Sequence, residues 1–360
     1  MPDLPSFKVR ITIMAISSLI TAGVCEGIIR LADGNARPMI RLFEQDGGFG
    51  QIKLQANSSA RIGSGYGEPW EINTNEQGHR LNSKSVSDSS WIVVGDSQVM
   101  GNGVNDAFPF PALMQLEGEG VHNLGVPGYG VGDALWAATE HLDKRAAKGV
   151  IIIVNQMNDW DEVEAPVGER YKVRGGWLLD SEDAATARGA FLESPLSRSH
   201  LCFLLGHLLL KDWSPPQLPP PDWMSDPVSM RPKTLRIAQA ITNFVATHPK
   251  TRVLPVYLPA DLYATQERAQ ASPLSGHIGA LDQPPWEDHR LRDQVLTSLA
   301  VLEPIDLSVV LTKGEHFLTG DYHLSELGHK EVAAAITAAV DRAPSTLEVG
   351  SPEPEIPPQQ

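Results

Sequence analysis

Ser97 stands in Gly95-Asp96-Ser97-Gln98-Val99-Met100-Gly101, directly after an apolar run and at the start of a predicted helix. A serine at such a turn is either a helix N-cap or, given the right neighbours, a nucleophile. A nucleophilic serine needs a base for its proton, a third group to orient that base, and donors for the oxyanion. Asp321-Tyr322-His323 lies just before the last predicted helix. A carboxylate two residues before an imidazole can hold one ring nitrogen and leave the other for Ser97. Of the eleven histidines, His323 has this setting; His316 and His329 compete nearby, but His329 falls within the helix and reads as a surface or packing residue. Two further segments, Asn123 to Gly130 and Asn155-Gln156-Met157-Asn158-Asp159, each end a predicted strand. Glycines there let backbone N–H groups approach a substrate, and an Asn amide is a neutral oxyanion donor. Taken singly, each is an ordinary turn or cap. Four together, in the order Ser, Gly, Asn, Asp-x-His, point to acyl transfer.

The elements that must position these residues are legible as period and punctuation. WIVVGD (91–96), VHNLGV (121–126) and GVIIIVNQ (149–156) read as strands, the last apolar on both faces as a central parallel strand should be. GDALWAATEHLDKRAAKG sets Leu135, Ala138 and Leu142 on one helical face before a Gly stop, which makes a crossover helix. RIAQAITNFVATHP before RVLPVYLP, HRLRDQVLTSLAVL before IDLSVVL, and a closing LSELGHKEVAAAITAAV helix continue the alternation. Such alternation predicts an α/β domain with a parallel sheet covered on both faces.

The predicted organisation is an N-terminal segment at 1–32, a small β-rich lead-in at 33–90, the main domain at 91–342, and an acidic, Pro-rich, disordered tail at 343–360. A cap-like insertion occupies about 160–230, where HLCFLLGHLLL should pack as a helix over the sheet and SPPQLPPP (214–221) should be stiff and polyproline-like. Residues 264–289 form a second, loop-like insertion. Trp160, Trp177, Trp213 and Trp223 either shape a sugar or acyl pocket or form the apolar underside of the cap, the commoner job of buried aromatics.

The formal charge of −15 over 360 residues works against electrostatic capture by nucleic acid or anionic lipid. Two cysteines, Cys25 and Cys202, are too few for a disulfide framework or a four-Cys zinc site and read as apolar fillers. No His/Asp cluster has metal-ligand spacing, no G-x-S-x-G elbow surrounds Ser97, and Gly128, Gly130 and Gly132 make no dinucleotide fingerprint, so no metal or cofactor is expected. At the N-terminus, Lys8 and Arg10 precede ITIMAISSLITAGVC, then Glu26 and GII before Arg30. That is about one bilayer span with one acid in it, an export signal or an uncleaved anchor. The absence of a clean A-x-A site favours the anchor, with the main domain outside the cytoplasm, or secreted or periplasmic if the segment is cleaved. A buried amphipathic helix is the alternative, given Glu26.

From residues 91 to 340 the chain resembles the SGNH (GDSL-type) hydrolase superfamily, and its lead-in WEINTNEQGHRLNS (70–83) resembles the segment before the GDS block in membrane-anchored bacterial members. GDSQVMG looks like the first block with Ser97 as nucleophile, and Asn123 to Gly128 like the second, whose glycine donates its N–H to the oxyanion. Asn158 matches the Asn of the third block, and Asp321 with His323 the last. Two positions depart: Gln156 stands where the third block has Gly, and Asp-x-His replaces Asp-x-x-His, a spacing found in relatives including alginate-type O-acetyltransferases. The resemblance implies a three-layer α/β/α sandwich of flavodoxin-like type and an ester substrate, a small molecule or a glycan, with membrane contact through the N-terminal helix only. It leaves open three functions: an esterase, an O-acyltransferase for a cell-envelope polysaccharide, and a non-catalytic carbohydrate-binding or assembly module.

Overall fold

The computed structural model describes residues 7–32, 34–37, 39–45, 51–63, 68–82, 84–209, 222–281 and 283–342. Trp213, the polyproline-like segment and the acidic tail lie outside them.

Helix α1 (Phe7–Ala32) is long and apolar enough to cross a membrane. None of its residues is buried, so it is not the buried helix that Glu26 left open. Four short strands follow as two antiparallel pairs: β1 (Phe43–Gln45) with β2 (Ile52–Leu54), and β3 (Ser59–Ile62) with β4 (Trp70–Asn73). Their alternate side chains Phe43, Ile52, Leu54, Ile62, Trp70 and Ile72 turn inward with Met100, Val126 and Tyr129. The lead-in therefore shares an apolar core with the main domain.

The main domain begins with β5 (Ile92–Val94), short helix α2 (Ser97–Met100), β6 (His122–Asn123), helix α3 (Val131–Lys144) and β7 (Gly149–Asn155). After a hairpin of β8 (Tyr171–Arg174) and β9 (Trp177–Asp180) come α4 (His200–Leu209), α5 (Arg231–Thr247), β10 (Arg252–Leu258), α6 (Arg290–Ser298), β11 (Ile305–Asp306) and α7 (Glu326–Arg342). The central sheet is parallel, in the order β11-β10-β7-β5-β6. Every residue of β7 is buried, as its uniformly apolar sequence predicts for a central strand. Val150, Ile152 and Val154 face α3, α5 and α6 on one side. Ile151 and Ile153 face Phe110 and the Val332, Ile336 and Val340 stripe of α7 on the other. The result is the expected three-layer α/β/α sandwich.

Two expectations are corrected. The apolar run at 305–311 is a strand for only two residues before a 3-10 turn at Leu307–Val309, where the Asp306 carboxylate accepts from the Ser308 N–H. Helix α4 does not cover the sheet; it packs against the C-terminal turns of α1 and sets Phe203 on Trp177. Glu26 explains the placement. Its carboxylate accepts from the N–H groups of His200 and Leu201 and from the Ser199 hydroxyl, satisfying the orphan donors at the start of α4.

Three imidazoles, His79, His122 and His141, cluster between the lead-in and α3, with ring centroids 4.8 to 6.5 Å apart. Burial, with mutual repulsion, pushes His79 down to about 3 and His141 to about 4, and burial also lowers His122. All three are neutral in the folded chain. As pH falls below about 6.5 the unfolded chain takes up protons that the folded one refuses until about pH 4, so stability falls across that window. Urea midpoints measured from pH 7 to 4.5 should drop, and less steeply in His141→Gln; identical slopes would contradict this.

Candidate active site

Asp96 is the N-cap of α2, its carboxylate accepting from the Gln98 N–H at 2.9 Å, and Asn155 at the end of β7 donates to its other oxygen at 2.7 Å. Capping thus falls to Asp96, which leaves the Ser97 side chain unclaimed by the helix. Gln98 reaches the loop ahead of α7: its Nε2 donates to the Tyr322 carbonyl and its Oε1 accepts from the Leu324 N–H, both at 3.1 Å. These two bonds straddle His323 and fix it opposite Ser97. The Ser97 Oγ lies 2.8 Å from His323 Nε2, and His323 Nδ1 lies 2.7 Å from Asp321 Oδ1. A residue adjacent to the serine therefore sets the register between serine and imidazole.

Burial alone would raise the Asp321 carboxyl, but the His323 imidazole and the N–H groups of His323 and Tyr322 outweigh it and hold Asp321 below the usual carboxylate range. It stays ionised, as a group orienting an imidazole must. The Tyr322 ring stacks on His323 at 4.5 Å. Arg268, paired with buried Asp261, donates to the carbonyls of Leu318 and Asp321 and ties down the loop.

The two remaining expected residues, Gly128 and Asn158, line the same cleft as Ser97, Asp321 and His323. Gly128 has φ +83°, and a Cβ there would lie 3.0 Å from the Tyr171 ring; only glycine combines that backbone with that approach. Gly125 is needed for closeness, since its Cβ would sit 2.3 Å from the Met100 nitrogen. The substituted Gln156 points away from the cleft, its Oε1 accepting from the Tyr257 hydroxyl at 2.6 Å and the Ala260 N–H. The Gln156 side chain therefore does not fill the site.

Sequence reading missed Glu162 and Arg170. Asn158 Nδ2 donates to Glu162 Oε2 at 2.7 Å and its amide also acts on the Asp96 carboxyl, and Arg170 donates to Glu162 Oε1 at 2.9 Å. Arg170 also donates to the Gly128 carbonyl at 2.7 Å and to Asp133, which in turn accepts from the Gly130 N–H. Burial pushes Glu162 up to about 8, partly offset by Arg170. One guanidinium thus braces both Gly128 and Asn158, directly and through Glu162. Arg170→Ala should lower kcat about 10- to 100-fold with KM less affected; steady-state kinetics unchanged by the substitution would refute the bracing role. The sequence signal was faint: an acid and a base eight residues apart in a Pro- and Gly-broken segment.

Trp160, Trp177 and Trp223 serve packing. Trp160 donates to Thr234, Trp223 to the Met157 carbonyl, and Trp177 meets Phe203; all three are fully buried.

No family model and no curated protein matches the chain. Solved structures do. The resemblance is to GDSL-type hydrolases. A lipolytic protein of the G-D-S-L family from Veillonella parvula is 12% identical, with TM-score 0.38, covering 71% of this chain and 100% of that one. A lipase/acylhydrolase from Enterococcus faecalis is 13% identical, with TM-score 0.34, covering 70% and 95%. A carbohydrate esterase family 2 enzyme with a carbohydrate binding domain, from Corynascus thermopiles, is 10% identical, with TM-score 0.34, covering 80% and 74%. Likeness at this level says nothing of chemistry, which rests on the side chains described above.

Proposed function

We propose that this chain is a serine ester hydrolase of the SGNH type, held at a membrane by α1 with its catalytic domain outside the cytoplasm. The observation that carries the reading is the unbroken hydrogen-bond chain from Ser97 through His323 to ionised Asp321, set in a cleft at the carboxyl ends of the parallel strands. Ser97 attacks the ester carbonyl as His323 Nε2 takes its proton, while Asp321 keeps the ring oriented and stabilises the imidazolium. The tetrahedral oxyanion is met by the N–H groups of Ser97 and Gly128 and by the Asn158 amide, each donor worth about 3 kcal/mol of barrier. The alcohol leaves with the proton from His323. Water, deprotonated by the same nitrogen, then attacks the acyl-enzyme and releases the acid, restoring Ser97.

Asp161, Arg170 and Asp180 line the cleft beside Ser97 and would suit a polar, sugar-like alcohol portion. A sugar hydroxyl replacing water in the last step would make the same residues an O-acyltransferase. Hydrolysis of p-nitrophenyl acetate by the full chain, with labelling of Ser97 by a fluorophosphonate, is the expected result. A folded preparation showing neither would sink the proposal and leave the non-catalytic module.

A further inference from the structure

The hydrolytic machinery comes entirely from the main domain, yet much of the cleft wall does not. Met39 and Ile40 of the lead-in and Leu178 of the β8–β9 hairpin stand partly exposed in the cleft that holds Ser97 and His323, backed by the nearly buried Phe43, Ile62 and Trp70. We propose that this wall is an acyl-binding surface, and that the substrate carries a medium-length aliphatic acyl group rather than acetyl; this rests on the ester hydrolase reading.

Three observations support it. The cleft encloses about 710 Å³, within the range of pockets that hold whole drug-sized ligands, so an acetyl group would leave most of it to water. The lining is apolar along the lead-in, which contributes no charged side chain, and mixed after β7, where Asp161, Arg170 and Asp180 stand among Met157, Tyr171 and Leu178. An ester with an aliphatic acid and a polar alcohol matches that division. The wall is also built into the fold. The Phe43 N–H donates to the Gly176 carbonyl at 2.9 Å, Arg41 donates to the Gly175 carbonyl at 2.8 Å, and the Gln45 side chain accepts from the Val173 N–H at 3.2 Å, lacing β1 to the hairpin that carries Leu178. The acyl group is the part of the substrate that remains on Ser97 through both half-reactions, so it is the part a fixed wall can hold while the alcohol leaves and water enters.

The test is kcat/KM of the full chain in nanodiscs for p-nitrophenyl acetate, butyrate and octanoate, each below its micelle concentration. Each methylene buried on the wall should raise kcat/KM about two- to fourfold, so octanoate should exceed acetate by at least tenfold. Ile40→Asp and, separately, Met39→Asp, both at partly exposed positions, should each lower the octanoate-to-acetate ratio about tenfold. Acetate hydrolysed as well as octanoate overturns the acyl wall while leaving the hydrolase reading intact. So does a chain-length preference that appears only in n-alkyl acetates, which would put the chain on the alcohol side. No turnover of any ester, with Ser97 unlabelled by a fluorophosphonate, overturns both.

Discussion

Ser97→Ala should reduce kcat/KM for a short p-nitrophenyl ester by at least about four orders of magnitude, leaving a residue of activity from the oxyanion donors alone. The structure makes the substitution unusually clean. The Ser97 side chain does not cap its helix, because Asp96 does, and the bonds that hold the opposing loop come from Gln98. Removing one hydroxyl should therefore leave the urea midpoint within about 0.5 kcal/mol of the parent, the usual range for a substitution that breaks no packing or cap. His323→Ala should cost a similar factor, and the double variant little more than either single one, since members of one relay are not additive. A Ser97→Ala protein retaining a tenth of parental turnover would place the nucleophile elsewhere.

Arg80→Leu should lower stability by about 3–5 kcal/mol, because it leaves four carbonyls without their donor, at about 1–3 kcal/mol for each that stays buried, and Asp106 without its ion-pair partner. Arg80 is fully buried, yet each arm of its guanidinium is used. Its Nε pairs with Asp106 at 2.9 Å, and its two terminal nitrogens donate to the carbonyls of Met100, Gly101, Val104 and Glu71. The first three follow Ser97 directly, and the last belongs to β4 of the lead-in. The residue rivets the lead-in to the loop that leaves the nucleophile helix. Lys should not rescue it, because a single ammonium cannot reproduce a planar fork with this many partners. A denaturant midpoint shifted by less than about 1 kcal/mol would show that the surrounding carbonyls find water instead.

The sheet was legible because its strands are short apolar runs separated by helices with clear periodicity, and because β7 has no polar residue before Asn155. The serine, imidazole and carboxylate were legible because each sits at a strand or helix boundary in a short, distinctive string. What escaped notice depends on residues distant in sequence. Gln98 meets Tyr322 and Leu324 across 224 and 226 positions, and no local pattern announces that. Arg80 lies within a Gly- and Asn-rich stretch where an arginine reads as surface charge, and only the folded chain reveals five acceptors around it. The apolar face of α4 predicts burial but not the partner, and the partner is α1.

Glu26 also ties the apolar helix to the domain that follows it. The uncharged run from Ile11 to Cys25 is fifteen residues, about 22 Å of helix, short of a bilayer core of about 30 Å unless flanking turns are included. The acid that interrupted the apolar run in the sequence lies one residue beyond that length, with its carboxylate on the first turn of α4. A cut between Glu26 and the domain would remove a carboxylate that the domain still uses. Soluble versions should accordingly keep Glu26 and Arg30 and be trimmed only upstream of Cys25. Cutting at the apparent helix end, Ala32, would leave the start of α4 with two unpaired N–H groups and a bare apolar flank.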